Sequence, residues 1–122
     1  MKYLFTICLF SISLCLAAQD IVWLTPKEHD FGEFEQFDLQ QSSFKFKNNT
    51  DEPIVIDNVR PACGCTSPEW SNTPIMPDST GIITIEYDAR KMGYFYKKVK
   101  VFFSNARKGH KLYVQGTVVD EI

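Results

Sequence analysis

Ser43-Phe44-Lys45-Phe46-Lys47 alternates polar and apolar residues, so both phenylalanines lie on one face of a predicted strand. Three later stretches alternate in the same way, and helical spacing is absent beyond residue 18. The sequence therefore predicts an all-β fold. We expect the alternating apolar residues to form most of its core: Phe44, Phe46, Ile83, Ile85, Val99, Val101, Leu112 and Val114.

Turn-forming clusters divide the chain at 48–51, 76–79 and 105–109. The segment 61–76 contains three prolines and is expected to be irregular, whereas the apolar run 53–56 suits a central strand. Short strands separated by such turns are typical of an antiparallel β-sandwich. We expect about seven strands, near residues 21–25, 28–34, 39–47, 53–60, 79–88, 95–104 and 110–119.

The composition indicates one globular domain and excludes several other classes of protein. The chain has 122 residues, of which 44% are hydrophobic and 23% are charged, as in ordinary folded domains. Its formal net charge is −2, whereas a dedicated nucleic-acid-binding protein is strongly basic. We therefore expect no nucleic acid among its partners.

The first eighteen residues have the pattern of a secretory signal peptide. Lys2 provides a positive start, residues 3–16 are uncharged, and Ala17-Ala18 provides small residues for cleavage. The sequence predicts a signal peptide over 1–18 and one domain over 19–122, with an uncleaved anchor as the alternative. We expect an exported protein of the periplasm, the extracellular space or the cell envelope. No later apolar run approaches membrane length, so no transmembrane segment is expected after cleavage.

The motif with the most specific chemistry is Cys63-Gly64-Cys65-Thr66. Three states of its two cysteines are compatible with the sequence. An oxidising compartment would allow a disulfide across one glycine, with thiol redox chemistry as a possible use. Two thiolates could also hold a soft metal such as Cu(I), although His29 and His110 are expected to begin strands at the other end of the sandwich. Alternatively, both thiols are buried structural groups. No catalytic or cofactor-binding residues are predicted, and Cys63 and Cys65 are weak metal candidates.

Several segments together carry a resemblance to a known family. They are Asp30-Phe31-Gly32, Phe44-Lys45-Phe46-Lys47-Asn48, Pro53-Ile54-Val55-Ile56, Cys63-Gly64-Cys65-Thr66, Glu69-Trp70, Pro74-Ile75, Gly81-Ile82-Ile83, Ser104-Asn105 and the closing segment 112–118. In this order they resemble the bacterial domain-of-unknown-function family 1573. The resemblance implies a secreted bacterial protein with an immunoglobulin-like sandwich, and it implies no known activity.

Basic residues concentrate near the end of the chain. Residues 90–118 contain eight basic residues and no acidic one. In an immunoglobulin-like order the last two strands pair, so Lys97, Lys98, Lys100 and Lys111 could form a basic surface for an anionic partner. The alternative is neutralisation by acidic residues of neighbouring strands, namely Glu33, Glu35, Glu52 and Asp57.

Two functions fit these observations. The first is a non-enzymatic interaction or structural module of the cell envelope, with an envelope protein or an anionic surface component as partner. It needs no cofactor. The second is a small thiol-redox or copper-binding protein centred on Cys63 and Cys65.

Overall fold

The structure, a computed structural model, describes residues 19–120, and the predicted signal peptide over 1–18 lies outside the described residues. The described residues form these strands: β1 (Ile21–Trp23), β2 (Glu28–Glu35), β3 (Gln40–Asn48), β4 (Ile56–Pro61), β5 (Thr66–Glu69), β6 (Thr80–Tyr87), β7 (Gly93–Phe103) and β8 (His110–Val119). Within this part of the chain, no helix is both long and apolar enough to cross a membrane.

The strands form two four-stranded sheets, ordered β1-β3-β6-β5 and β2-β8-β7-β4. Neighbouring strands are antiparallel, except that β2 runs parallel to β8. The chain leaves the first sheet after Trp23 and enters the second at Glu28, so its first two strands belong to opposite layers. The predicted all-β sandwich is confirmed, as is the pairing of the last two strands, β7 and β8.

All eight expected residues are buried in the core between the sheets. They are fewer than half of the nineteen buried hydrophobic residues in the described part of the chain, so the prediction that they form most of the core is wrong. Phe46 lies directly opposite Gly81 on β6, and both belong to the first sheet. A Cβ atom at residue 81 would meet the Phe46 ring and would lie 2.9 Å from Ile75 Cδ1. Gly81 therefore leaves the space that the aromatic ring fills.

Two local predictions are wrong. The segment expected to be irregular contains β5, which pairs with β6 at the edge of its sheet. Pro68 fits there because an edge strand needs hydrogen bonds on one side alone. The apolar run 53–56 is not a central strand: Ile54 forms an isolated bridge with Ile75, and β4 begins at Ile56 on the edge of the other sheet.

A buried asparagine fixes the turn that follows β3. Asn48 is fully buried, and its Nδ2 donates to the carbonyl oxygens of Glu52 and Ile75, each at 2.8 Å. Its Oδ1 accepts from the Thr50 backbone N–H at 2.9 Å and from the Thr50 hydroxyl at 2.7 Å. All four hydrogen-bonding positions of the amide are thus satisfied within the protein.

Candidate functional site

Three of the four predicted lysines lie on the outer face of the sheet β2-β8-β7-β4. Lys98 and Lys100 alternate with the buried Val99, so both point away from the core. Lys111 lies opposite Lys100 across β7 and β8 and points in the same direction. The prediction for Lys97 is wrong. This half-buried residue shares the inward phase of Val99 on β7, so it does not belong to the outer surface.

The outer face carries a row of three cations across adjacent strands, here called the cation row: Arg60, Lys100 and Lys111. Arg60 lies opposite Lys100 on the β4–β7 pair, and Lys100 lies opposite Lys111 on the β7–β8 pair. Directly opposite side chains have Cβ atoms about 4.5–5.5 Å apart, and like charges at such positions destabilise a sheet. Lys98 adds a fourth cation two residues away on the same face.

The carboxylates expected to neutralise these lysines do not pair with them. Among residues 19–120, ion pairs join Lys47 with Asp78 at 3.6 Å and Arg90 with Asp88 at 3.7 Å, and no member of the cation row takes part in one. Glu33 lies opposite Thr117, far along β8 from Lys111. The neutralisation expected as the alternative is therefore not formed by direct ion pairs in the described part of the chain.

Beside the cation row lies an aromatic surface, here called the tyrosine platform: Tyr94, Tyr96 and Tyr113. The rings of Tyr96 and Tyr113 stack with centroids 5.1 Å apart and planes inclined by 19°. Tyr94 is 67% exposed and Tyr96 is 46% exposed. Tyr113 lies opposite Lys98, so the platform and the basic residues form one continuous surface.

Hydrogen bonds hold the platform in place. The Tyr94 hydroxyl donates to Gln115 Oε1 at 2.9 Å, and Gln115 Nε2 donates to Glu28 Oε1 at 2.7 Å. The Tyr96 hydroxyl donates to the other carboxylate oxygen of Glu28 at 3.3 Å. Partial desolvation raises the pKa of Tyr96, and the negative charge of Glu28 raises this pKa further. The Tyr96 hydroxyl therefore remains a protonated donor at neutral pH.

The platform leads into an open cleft of about 810 Å³ at one end of the sandwich. Trp23 Nε1 donates to His110 Nδ1 at 3.2 Å in this cleft, so the imidazole is neutral with its Nδ1 unprotonated. Burial lowers the pKa of His110, and the positive charges of Lys27 and Lys108 lower it further. Trp23 packs against the core and forms part of the cleft wall.

Cys63 and Cys65 form a disulfide in the loop between β4 and β5, with Cα atoms 5.3 Å apart. Both cysteines are half-buried, and Cys65 packs against the core. The Asp88 N–H donates to the carbonyl oxygen of Cys65 at 3.0 Å, which places this loop beside the one after β6. His29 is the second residue of β2 and His110 begins β8, and no group of three or more potential metal ligands occurs in residues 19–120.

The tyrosine platform was not predicted from the sequence, although the sequence contains a signal for it. Every second residue of β7 faces outward, opposite to the buried Phe95 and Val99. These outward residues are Tyr94, Tyr96, Lys98 and Lys100. Tyr113 has the corresponding outward phase on β8. Extending the outward pattern of the lysines toward the start of β7 would have revealed the aromatic part of the surface.

Residues 22–118 match the family described as Protein of unknown function (DUF1573). The chain belongs to this family. No curated protein matches the sequence. Membership in DUF1573 confirms the resemblance carried by the motifs.

Solved structures show the same fold at low sequence identity. A protein of unknown function from Porphyromonas gingivalis W83 is 14% identical, with a TM-score of 0.67 over 88% of this chain and 51% of that one. The PapD-like domain 7 of human CEP192 is 9% identical, with a TM-score of 0.63 over 84% and 87%. A family 123 glycoside hydrolase from Clostridium perfringens is 10% identical, with a TM-score of 0.69 over 81% and 24%. This DUF1573 chain thus has an immunoglobulin-like sandwich, and it spans about half the length of the Porphyromonas protein.

Proposed function

We propose that this DUF1573 chain is a non-enzymatic interaction module of the cell envelope that binds an anionic partner on the outer face of the sheet β2-β8-β7-β4. The observation that carries the proposal is the cation row. Arg60, Lys100 and Lys111 lie opposite one another on three adjacent strands without an ion pair among the described residues. Because such a row disfavours the isolated sheet, a bound anion would relieve the repulsion.

The fold supports a surface that is fixed before binding. The cation row lies on strands, and β7 pairs with a neighbour along both of its edges. Side chains on a sheet are held at set spacings, so their charges do not have to be gathered when a partner arrives. Export to the envelope, proposed from the residues of 1–18, would bring this surface to anionic components outside the cytoplasm.

The test compares two double variants that remove the same charge. Lys100→Gln with Lys111→Gln changes the cation row, whereas Lys45→Gln with Lys91→Gln changes exposed lysines elsewhere. Labelled polyglutamate is the anionic probe, and fluorescence anisotropy at low salt measures its affinity. We expect the first variant to weaken binding about tenfold, equivalent to about 1.4 kcal/mol, and the control variant to bind as the wild type does. Equal affinities for the two variants would refute the proposal.

Cell fractionation tests the location separately. The intact mass of the protein recovered from its native host reports whether residues 1–18 are removed, whether lipid is attached and whether the two cysteines are joined. Recovery of an unprocessed chain from the cytoplasm would contradict the assignment to the envelope.

A second candidate function is thiol redox chemistry at Cys63 and Cys65. The specific observation that favours it is the position of the disulfide, half-exposed in an end loop with the intervening Gly64 exposed. A bridged pair offers no thiolate, so copper binding would require prior reduction. In Cys65→Ser the remaining Cys63 thiolate can attack a disulfide of a partner protein, which forms a mixed disulfide and releases the partner's other thiolate. A partner protein trapped in this way by Cys65→Ser, but not by Cys63→Ser with Cys65→Ser, would support this function.

A further inference from the structure

The tyrosine platform is exposed and yet ordered, a combination that favours binding. Tyr94 and Tyr96 leave 67% and 46% of their surface exposed, while Gln115 and Glu28 hold their hydroxyl groups. Rings that are already fixed lose little conformational freedom when a ligand covers them. Adjacent exposed aromatic residues also mark interaction sites more often than isolated ones do.

The rings lie across the sheet rather than projecting from it. Tyr96 is on β7, and its hydroxyl reaches Glu28 on β2, with β8 between them. The Tyr96 ring therefore lies over β8, where it stacks on Tyr113. This arrangement offers aromatic faces to a flat ligand, whereas insertion into a membrane would need aromatic side chains that project from the protein.

We infer that the outer face binds an acidic polysaccharide, with sugar rings on the tyrosine platform and carboxylates on the cation row. The inference rests on the proposed function and names the partner's chemistry. A pyranose ring has an apolar face of C–H groups, which packs against the negative face of an aromatic ring. A chain of uronic acids adds carboxylates at regular intervals, and these match the cations that adjoin the platform.

The local charges agree with this orientation. Lys98 lies two residues from the exposed Tyr96 on the same face of β7, so a sugar stacked on Tyr96 has a cation beside it. Both carboxylate oxygens of Glu28 already accept hydrogen bonds, from Gln115 and Tyr96. The Glu28 carboxylate at the edge of the platform is thus engaged in hydrogen bonds within the protein.

Isothermal titration of the full chain with four probes tests the inference. The probes are a galacturonic acid hexamer, a neutral glucose hexamer, a glutamate hexapeptide and vesicles of phosphatidylcholine with phosphatidylglycerol. The platform variant is Tyr94→Ala with Tyr96→Ala. Its control is Ile82→Ala, which removes a side chain of similar exposure, 50%, from the other sheet. Circular dichroism confirms that each variant is folded, and Tyr96→Phe keeps the ring if the alanine variant unfolds.

We expect the galacturonic acid hexamer to bind about tenfold more tightly than the hexapeptide of equal charge. The reason is that its sugar rings stack on the tyrosines, with a free energy similar to that of nucleic-acid bases stacked on aromatic side chains. The platform variant should lose that advantage and bind both anions equally, while Ile82→Ala keeps it. The Tyr96→Phe variant should retain most of it.

An unchanged affinity of the platform variant for the hexamer would overturn the polysaccharide inference and leave the cation row as an anion site. Tighter binding of the hexapeptide would identify an acidic protein partner instead, and binding of the vesicles in preference to the sugar would identify a membrane. Both results contradict the inference. If Lys100→Gln with Lys111→Gln binds the anionic probes as tightly as the wild type does, the proposed function itself is refuted.

Discussion

Replacing Asn48 by alanine removes four hydrogen bonds from one buried side chain. Two run from Nδ2 to the carbonyl oxygens of Glu52 and Ile75, and two run from Thr50 to Oδ1. A protein hydrogen bond contributes about 0.5–1.5 kcal/mol net. The Ile75 carbonyl keeps a second donor, the Ile54 N–H at 3.0 Å, and the half-buried Thr50 can bind water instead. The four bonds sum to about 2–6 kcal/mol, and because these groups find other partners we expect a loss in the lower half of this range, about 2–4 kcal/mol.

Asn49 provides the matched control. It is exposed, and its Nδ2 makes one hydrogen bond, to the carbonyl oxygen of Gln19 at 3.1 Å. Asn49→Ala should change the unfolding free energy by no more than about 0.5 kcal/mol. Urea denaturation followed by tryptophan fluorescence measures both variants, and thermal melting should show a decrease of about 10–25 °C for Asn48→Ala. If the two variants unfold at the same urea concentration, Asn48 does not fix the turn and the reasoning is wrong.

Three further outcomes are expected. Phe46→Ala should cost about 3–5 kcal/mol because it leaves a cavity in the core, as checked by urea denaturation. Reduction of the Cys63–Cys65 disulfide should cost no more than about 1.6 kcal/mol because its ring is so short, and a double serine variant should stay folded by circular dichroism. Since the pKa of His110 is lowered in the folded state, the unfolding free energy should fall as the pH drops below about 6.5, and His110→Gln should reduce this dependence. A pH profile for His110→Gln identical to that of the wild type would contradict the last prediction, and a melting curve unchanged by Phe46→Ala would contradict the first.

Part of the core could be predicted from the sequence because burial on one face of a strand imposes a period of two. Phe44 and Phe46 show that period locally, and no knowledge of their partners is needed to recognise it. The error at Lys97 has the opposite origin. Lys97 was assigned to the basic surface because Lys98 follows it directly and Lys100 lies nearby, and only the strand phase separates it from Lys98.

The site was less accessible to prediction because its contacts join distant parts of the chain. Tyr96 and Glu28 are 68 positions apart, and they meet because β2 pairs with β8. The cation row likewise depends on Arg60, whose strand begins later than the apolar run suggested. Local patterns indicate which residues face outward, but strand order decides which of them become neighbours.

The parallel pairing of β2 with β8 determines how the domain would respond to mechanical load. Glu28, where β2 begins, and Val119, where β8 ends, lie at opposite ends of this pair, because both strands run from the same end of the sandwich. Tension between these two residues would act along the strands and would load their hydrogen bonds together instead of one after another. The domain should thus resist stretching between Glu28 and Val119 better than it resists force that pulls apart the open end of an antiparallel hairpin such as β7–β8, which would open from one side. Single-molecule pulling from the two pairs of attachment points would measure this difference, and equal unfolding forces would rule it out.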